Sequence, residues 1–128
     1  MTPPEAGTLP ETPPAALCAL KGLRKRADFL RAASARRQGT AGFLLQARAR
    51  NDGDAAVRLG FTCSKKIGNA VARNRAKRRL REVARLALPA LARPGWDYVL
   101  VGRPDATVSR DFALLLTDLA AAVRGVHR

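Results

Sequence analysis

The stretch SKKIGNAVARNRAKRRLREVARL, from Ser64 to Leu86, decides the fold of this chain. Nine of the 21 residues from Lys65 to Arg85 are Lys or Arg, and Glu82 is the single acid among them. On a helix of about 3.6 residues per turn, one side of this stretch is apolar, which predicts a helix packed against a sheet. The apolar positions are Ala72, Ala76, Leu80, Val83, Ala84 and Ala87.

The other side of this predicted helix carries a column of cations, Arg73, Lys77, Arg81 and Arg85, at steps of four residues. Like charges at that spacing each cost roughly 0.2–0.5 kcal/mol, so the column destabilises the free helix. At a rise of about 1.5 Å per residue the charges repeat about every 6 Å, comparable to neighbouring phosphates along an RNA strand. A solvated surface helix normally mixes both signs of charge. The column therefore indicates contact with a nucleic-acid backbone, which is salt-sensitive and blind to sequence.

The start of the helix also has features of an anion site. Lys65 and Lys66 precede Gly68, a residue suited to positive φ, and Asn69, a candidate N-cap. Free backbone N–H groups at a helix N-terminus bind anions readily. An ordinary capped helix start with two surface lysines is an equally good interpretation.

The composition agrees with a polyanionic partner. The chain has 128 residues, the length of one domain, and its 24 basic and 10 acidic residues give a net charge of +14. Nucleic acid is the leading candidate, and an anionic membrane surface competes with it. No apolar run approaches the ~20 residues that span a bilayer. Cys18 and Cys63 fit no metal-binding or CxxC pattern, which predicts two reduced thiols in a cytoplasmic protein.

The residues before the basic stretch predict a tail, a helix and two strands. Residues 1–18 are Pro-rich and predict a disordered tail ahead of one domain at residues 19–128. Residues 26–37 predict a short helix. Residues 42–50 and 56–63 alternate as strands, and residues 51–54 predict a hairpin turn between them.

The residues after the basic stretch complete the fold. Pro89 and Pro94 are expected to break the chain, residues 96–102 predict a buried strand, and residues 108–123 predict an amphipathic helix. The order helix, strand, strand, helix, strand, helix predicts an α+β protein. We expect a two-layer α/β sandwich in which a small sheet packs against about three helices.

Residues 60–82, GFTCSKKIGNAVARNRAKRRLRE, resemble the signature of the bacterial ribonuclease P protein component. The hallmark is Arg73-Asn74-Arg75, preceded by Lys-Lys-x-Gly-x-Ala-Val and followed by Lys-Arg. The likeness extends more loosely over residues 20–123, including DYVLVGRP at residues 97–104. It implies a left-handed βαβ crossover around the basic helix, of the kind found in one ribosomal-protein fold. The residues alone would not predict that hand, because ~98% of such crossovers are right-handed.

The resemblance implies a protein subunit of ribonuclease P, the ribonucleoprotein endonuclease that removes the 5′ leader of precursor tRNA. In that family a large RNA carries the active site and holds the Mg²⁺ ions, and the protein is expected to be a cytoplasmic monomer within the complex. The residues agree, because a protein metal-nuclease needs clustered carboxylates or histidines. Here the ten acids are scattered, and the single histidine, His127, is expected to be frayed. We therefore assign no catalytic residue and no metal ligand to the chain.

The resemblance assigns two sets of residues. The residues implied to contact the catalytic RNA are Lys66, Arg73, Asn74, Arg75, Lys77, Arg78 and Arg81. The leader is expected to lie between the first helix and the sheet face opposite the core, where alternation and the helix place Phe29, Leu44, Gln46, Arg48, Thr62, Ser64 and Lys65. Phe29 suits a core position as well as base stacking, and we assign Phe43 and Phe61 to the core. Where relatives often carry further aromatics this chain has Ala33 and Gln46, so we expect weaker stacking on the leader.

Three other classes of protein fit the sequence less well. A generic basic RNA-binding protein of ribosomal type fits the composition, but binding by charge needs no fixed order of residues such as 65–75. A peripheral membrane protein needs bulky apolar residues opposite its charge, whereas this helix offers mostly Ala. A stand-alone enzyme lacks clustered acids and histidines.

Overall fold

The computed structural model describes residues 20–127, which form one mixed sheet with helices on both faces. The predicted tail and Cys18 lie outside these residues, and Cys63 is a free thiol. The strands are β1 (Leu20–Gly22), β2 (Arg36–Gly39), β3 (Phe43–Ala49), β4 (Val57–Thr62) and β5 (Trp96–Gly102). The helices are α1 (Arg26–Ala33), α2 (Ala70–Leu91), α3 (Ala106–Ser109) and α4 (Phe112–Val126), and a 3₁₀ turn at Lys65–Ile67 precedes α2.

The strand order is β1-β4-β5-β3-β2, with β5 in the middle of the sheet. It pairs in parallel with β4 and antiparallel with β3, so β4, α2 and β5 form a parallel crossover unit around the basic helix. The α+β sandwich is confirmed. The predicted hairpin is wrong, because β5 separates β3 from β4. Asn51 and Gly53 do adopt positive φ, at 57° and 78°, but their loop joins strands that are not neighbours.

The main core lies between one face of the sheet and helices α2 and α4. Phe43 and Tyr98 are wholly buried from the sheet side, and Phe61 packs half-buried against the same core. The apolar stripe of α2 is confirmed with a small shift, because Leu88 is buried where Ala87 is half-buried. The buried residues of α2 are Ala76, Leu80, Val83, Ala84 and Leu88. Among residues 20–127, no helix is both long and apolar enough to cross a membrane.

The first predicted helix ends earlier than expected. It stops at Ala33, and Arg36–Gly39 instead forms strand β2, which pairs antiparallel with β3. All four residues of β2 are exposed, so no apolar alternation marks it as a strand. Strand β1 has only three residues and gains its structure from parallel pairing with β4.

Three further boundaries differ from the prediction. Pro89 lies inside α2 and does not end it, since the helix continues to Leu91. A proline this close to the C-terminus has only part of the last turn beyond it to disturb. The last helix begins at Phe112, after the separate short helix α3. His127 is not frayed: its ring packs edge-on at 4.4 Å from the Trp96 ring centroid, and its Nε2 shares a 2.6 Å hydrogen bond with the Tyr98 hydroxyl.

Candidate nucleic-acid interface

The basic helix begins with the cap that the sequence predicts. Gly68 has φ 141° and ψ −154°, a conformation that favours glycine. Asn69 Oδ1 accepts a hydrogen bond of 3.0 Å from the Ala72 amide, and Ser64 Oγ accepts one of 3.3 Å from the Lys66 amide. The 3₁₀ turn leaves the side chains of Lys65 and Lys66 exposed beside this helix start. Two ammonium groups therefore stand at the positive end of a 22-residue helix.

The middle of α2 carries a cationic surface. Asn74, Lys77, Arg78 and Arg81 line a shallow cleft of about 280 Å³, and none of these lining residues is acidic. Arg81 lies over the Phe61 ring, with 5.6 Å from its guanidinium carbon to the ring centroid. Four of the residues assigned to RNA contact therefore share one surface of the helix.

Two other cations of the stretch have intramolecular partners. The Arg79 guanidinium donates to the Val108 carbonyl and, at 2.7 Å, to the Arg110 carbonyl, and so ties α2 to the segment before α4. Arg85 forms an ion pair with Glu82, and its hydrogen bond lowers the pKa of that carboxyl. The column of four cations is thus effectively one residue shorter, because the charge of Arg85 is compensated within the helix.

The sheet face opposite the main core has residues in three rows across β3, β5 and β4. From one end of the strands to the other, the rows are Leu44–Val101–Thr62, Gln46–Val99–Gly60 and Arg48–Asp97–Arg58. Helix α1 packs on this face through a small cluster of Leu23, Ala32 and Val99, with Phe29 and Val101 against it. We call the space beside α1 and over these three rows the trough, and it is where the leader is expected.

Phe29 takes the core position that the sequence allowed, yet it is only half-buried. Its half-buried ring packs in the small cluster, against Leu23 and Val99, and lies over Gly60. A Cβ at Gly60 would come within 2.5 Å of the ring, so the absence of a side chain there lets the ring approach the strand. Phe29 therefore lies along one side of the trough and also packs against the apolar cluster beneath α1.

The remaining residues assigned to the leader differ in accessibility. Leu44 and Thr62 are half-buried in the outermost row, and Ser64 and Lys65 are exposed where β4 leads to the basic helix. Gln46 is only 9% exposed and offers little surface to a ligand. Arg48, in the row at the far end, is half-buried.

An ion-pair cluster on the same face was missed by the sequence analysis. Asp97 is wholly buried and accepts hydrogen bonds from Arg58 at 2.7 Å and Arg50 at 2.8 Å. Arg58 also approaches Asp28 of α1 at 3.3 Å. The signal was present in the sequence, since Asp97 is the single acid in the apolar strand WDYVLVG. Among residues 20–127, no group of three or more His, Cys, Asp or Glu side chains is placed to hold a metal ion.

Comparison with known proteins places this arrangement in a family. The profile of the family described as Ribonuclease P matches residues 18–127, which is most of the chain. The chain belongs to the ribonuclease P protein family. As a ribonuclease P protein, it is the protein subunit of an enzyme of tRNA processing, and the resemblance seen at residues 60–82 is confirmed.

Individual ribonuclease P proteins agree in sequence and in structure. The "Ribonuclease P protein component" of Ruegeria pomeroyi is 63% identical over 120 residues, covering 90% of this chain and 96% of the relative. Solved structures of ribonuclease P proteins from Staphylococcus aureus and Thermotoga maritima both give a TM-score of 0.65, at 26% and 28% identity. They cover 80% and 79% of this chain, and 92% and 93% of the solved chains.

Proposed function

We propose that this ribonuclease P protein uses two adjoining surfaces, α2 for the RNA subunit of the enzyme and the trough for the 5′ leader of precursor tRNA. The observation that carries the proposal is their continuity. Strand β4 ends at Thr62 beside the open end of the trough, and residues 64–69 lead directly into the N-terminus of α2. An RNA strand that leaves the trough therefore meets Lys65 and Lys66 before the cations of α2.

The chemistry of leader removal belongs to the RNA partner in this proposal. The enzyme acts as an endonuclease whose active site and Mg²⁺ ions lie in the RNA, and the described part of this chain presents no cluster of metal-ligating side chains. Its own contribution is binding: phosphates are neutralised by Lys and Arg, and a single-stranded leader is held against the sheet. We propose that one copy of the chain acts in each complex, in the cytoplasm.

Cleavage of precursor tRNA at low magnesium tests the division of labour. The cognate RNA alone, the protein alone and the two together are compared, and cleavage at the mature 5′ end is expected only from the mixture. Cleavage by the protein alone would contradict an RNA active site. Absence of any enhancement by the protein would favour a generic RNA-binding protein.

A pair of single substitutions then tests the role of α2. Lys77→Ala removes a cation from the α2 cleft, and Arg124→Ala removes an exposed cation from α4, so both change the net charge equally. We expect Lys77→Ala to weaken binding to the RNA subunit and to lower the slope of log affinity against log salt by about one. Arg124→Ala should leave that slope unchanged. Equal effects of the two variants would mean that net charge, and not the α2 surface, governs binding.

A further inference from the structure

The sheet face beneath α1 carries the buried carboxylate of Asp97, which accepts hydrogen bonds from two arginines. Two parallel hydrogen bonds of 2.7 Å run from Nε and Nη2 of Arg58 to Oδ1 and Oδ2 of Asp97. A third bond of 2.8 Å comes from Arg50, whose side chain is 3% exposed. A bidentate guanidinium–carboxylate pair restricts the orientation of both groups. The Arg58 side chain is therefore held in one position relative to β5.

Arg58 extends this connection from the sheet to helix α1. Its remaining nitrogen, Nη1, lies 3.3 Å from Oδ2 of Asp28, a residue that is 5% exposed. The hydrogen bonding that Arg58 donates to Asp97 is the largest cause that raises the pKa of Arg58, so the guanidinium stays charged. Asp97, Arg58 and Asp28 thus form a chain of ion pairs from the central strand to the helix.

Apolar packing alone is a weak determinant of where α1 lies. Among residues 20–127, the cluster beneath α1 contains three buried apolar residues, whereas the main core contains sixteen. Hydrophobic contact is non-directional and leaves a small helix free to shift. Buried ionic groups contribute less to stability than to a defined geometry in several known systems. The ion pairs are the directional contacts that fix the height of α1 over the sheet.

The height of α1 determines the width of the trough, because α1 carries Phe29, one of its walls. At the Asp97 end lies a cleft of about 260 Å³ whose charged lining consists of five cations and two acids, Asp28 and Asp52. Arg48 belongs to that lining, and its Nη1 is 3.8 Å from Asp97, beyond hydrogen-bond distance. The Arg48 guanidinium can therefore turn to a phosphate of the leader, while Arg58 is retained by its carboxylates.

We infer that Asp28 and Asp97 are positioning residues for the 5′ leader. Neither needs to touch RNA: they hold Arg58, and through it α1, at the separation from the sheet that admits a single strand. This inference rests on the proposed function of the trough. Asp28 and Asp97 repel RNA by their charge, but in this inference they favour RNA binding because they hold α1 in place.

The test uses two acids of the same cleft, Asp28 and Asp52. Asp28→Asn removes the charge that ties Arg58 to α1, together with the 3.1 Å ion pair that Asp28 makes with the exposed Arg31 of the same helix. Asp52→Asn removes the same charge from the loop between β3 and β4, where the ion-pair partner of Asp52 is Arg50, at 3.0 Å. Each variant is assembled with the cognate RNA, and dissociation constants are measured for precursor tRNA with an eight-nucleotide leader and with a one-nucleotide leader. The ratio of the two constants reports leader binding alone.

Positioning and simple charge repulsion predict opposite changes in the preference for the long leader when Asp28 is replaced by Asn. If position matters, Asp28→Asn reduces the preference for the long leader by about fivefold to tenfold, the equivalent of about one ordinary hydrogen bond. Asp52→Asn keeps or increases that preference, because it removes a repulsive charge and leaves the bonds from Arg58 to Asp97 and Asp28 in place. Arg58→Lys, which keeps the charge but cannot form the bidentate pair with Asp97, is expected to reduce the preference even if Asp28→Asn folds poorly.

Three results would overturn the inference, and they separate failure of positioning from failure of the proposed function. Equal shifts from Asp28→Asn and Asp52→Asn, or an unchanged ratio in both Asp28→Asn and Arg58→Lys, would reject positioning while leaving the trough as the leader site. Equal affinity of the wild-type complex for long and short leaders would reject the proposed function itself, and the inference with it.

Discussion

The ring of Phe29 lies over the backbone of Gly60, so closely that a Cβ at residue 60 would come within 2.5 Å of it. This contact joins α1 to β4 at one wall of the trough. We expect Gly60→Ala to lower the free energy of unfolding by about 1–3 kcal/mol, as overpacking does elsewhere. Chemical denaturation measures the change directly.

The control for that substitution is Gly22→Ala, because a Cβ at Gly22 would meet nothing within 4 Å. It is expected to change stability by less than about 0.5 kcal/mol. The double variant Gly60→Ala, Phe29→Leu should recover part of the loss if the clash is with the ring. No recovery would show that the cost arises elsewhere in the strand.

Adjacent arginines on α2 should have separable roles. Arg79→Ala removes the donor to the Val108 and Arg110 carbonyls, and we expect a loss of about 1–3 kcal/mol in the free energy of unfolding. Arg78→Ala is expected to leave stability nearly unchanged but to reduce the salt slope of RNA binding by about one. Denaturation and salt-dependent binding measured on both variants decide the matter, and a reversed pattern would be evidence against these assignments.

Anions should stabilise the free protein through the cationic surface of α2. Like charges at Arg73, Lys77 and Arg81 repel one another, and sulfate bound there reduces the repulsion. We expect the Tm to rise by several degrees in added sulfate. Because sulfate also strengthens hydrophobic burial in general, the comparison is with Lys77→Gln, Arg78→Gln, whose Tm should rise less. An identical rise in both proteins would contradict charge repulsion on this helix.

His127 should make stability depend on pH. Burial is the largest cause that lowers the pKa of His127 to about 4 from the usual 6.5, and the positive charges of Arg93 and Arg36 act in the same direction. Between those two values the unfolded chain binds a proton that the folded chain does not, so the free energy of unfolding falls as the pH falls from about 6.5 towards 4. Above about pH 6.5 this contribution to stability is fully present.

Proton NMR can observe that titration directly, since His127 is the only histidine in the sequence. An apparent pKa near 4 is expected in the folded protein. The variant His127→Gln cannot titrate, and its stability should fall less than that of the wild type between pH 7 and pH 5. A pKa near 6.5 would mean that the ring is not held beside Trp96 and Tyr98 in solution.

Local sequence patterns were sufficient where the structure depends on local contacts. The alternation in β3 and the cap at Asn69 needed only neighbouring residues, and both are confirmed. Strand β2 could not be predicted, because its exposed residues become a strand only by pairing with β3. The placement of β5 between β3 and β4 is likewise a matter of distant pairing, which no turn sequence reveals.

The candidate site divides in the same way. The cations of α2 could be found from spacing alone, and the family resemblance assigned them to RNA. The link from Asp97 through Arg58 to Asp28 joins residues 28, 58 and 97, and only the folded sheet brings them together. The position of His127 in an aromatic cluster was missed for the same reason, since Trp96 lies 31 residues earlier in the chain.

The central place of β5 has a consequence for synthesis on the ribosome. Residues 96–102 are made after β1 to β4 and α2, and until they emerge the sheet consists of two separate strand pairs, β1 with β4 and β2 with β3. Isolated pairs of strands are marginally stable in water. The nascent chain therefore lacks the strand that joins the two pairs until residues 96–102 have been made, and a chain that terminates before Trp96 has no five-stranded sheet on which α2 can dock.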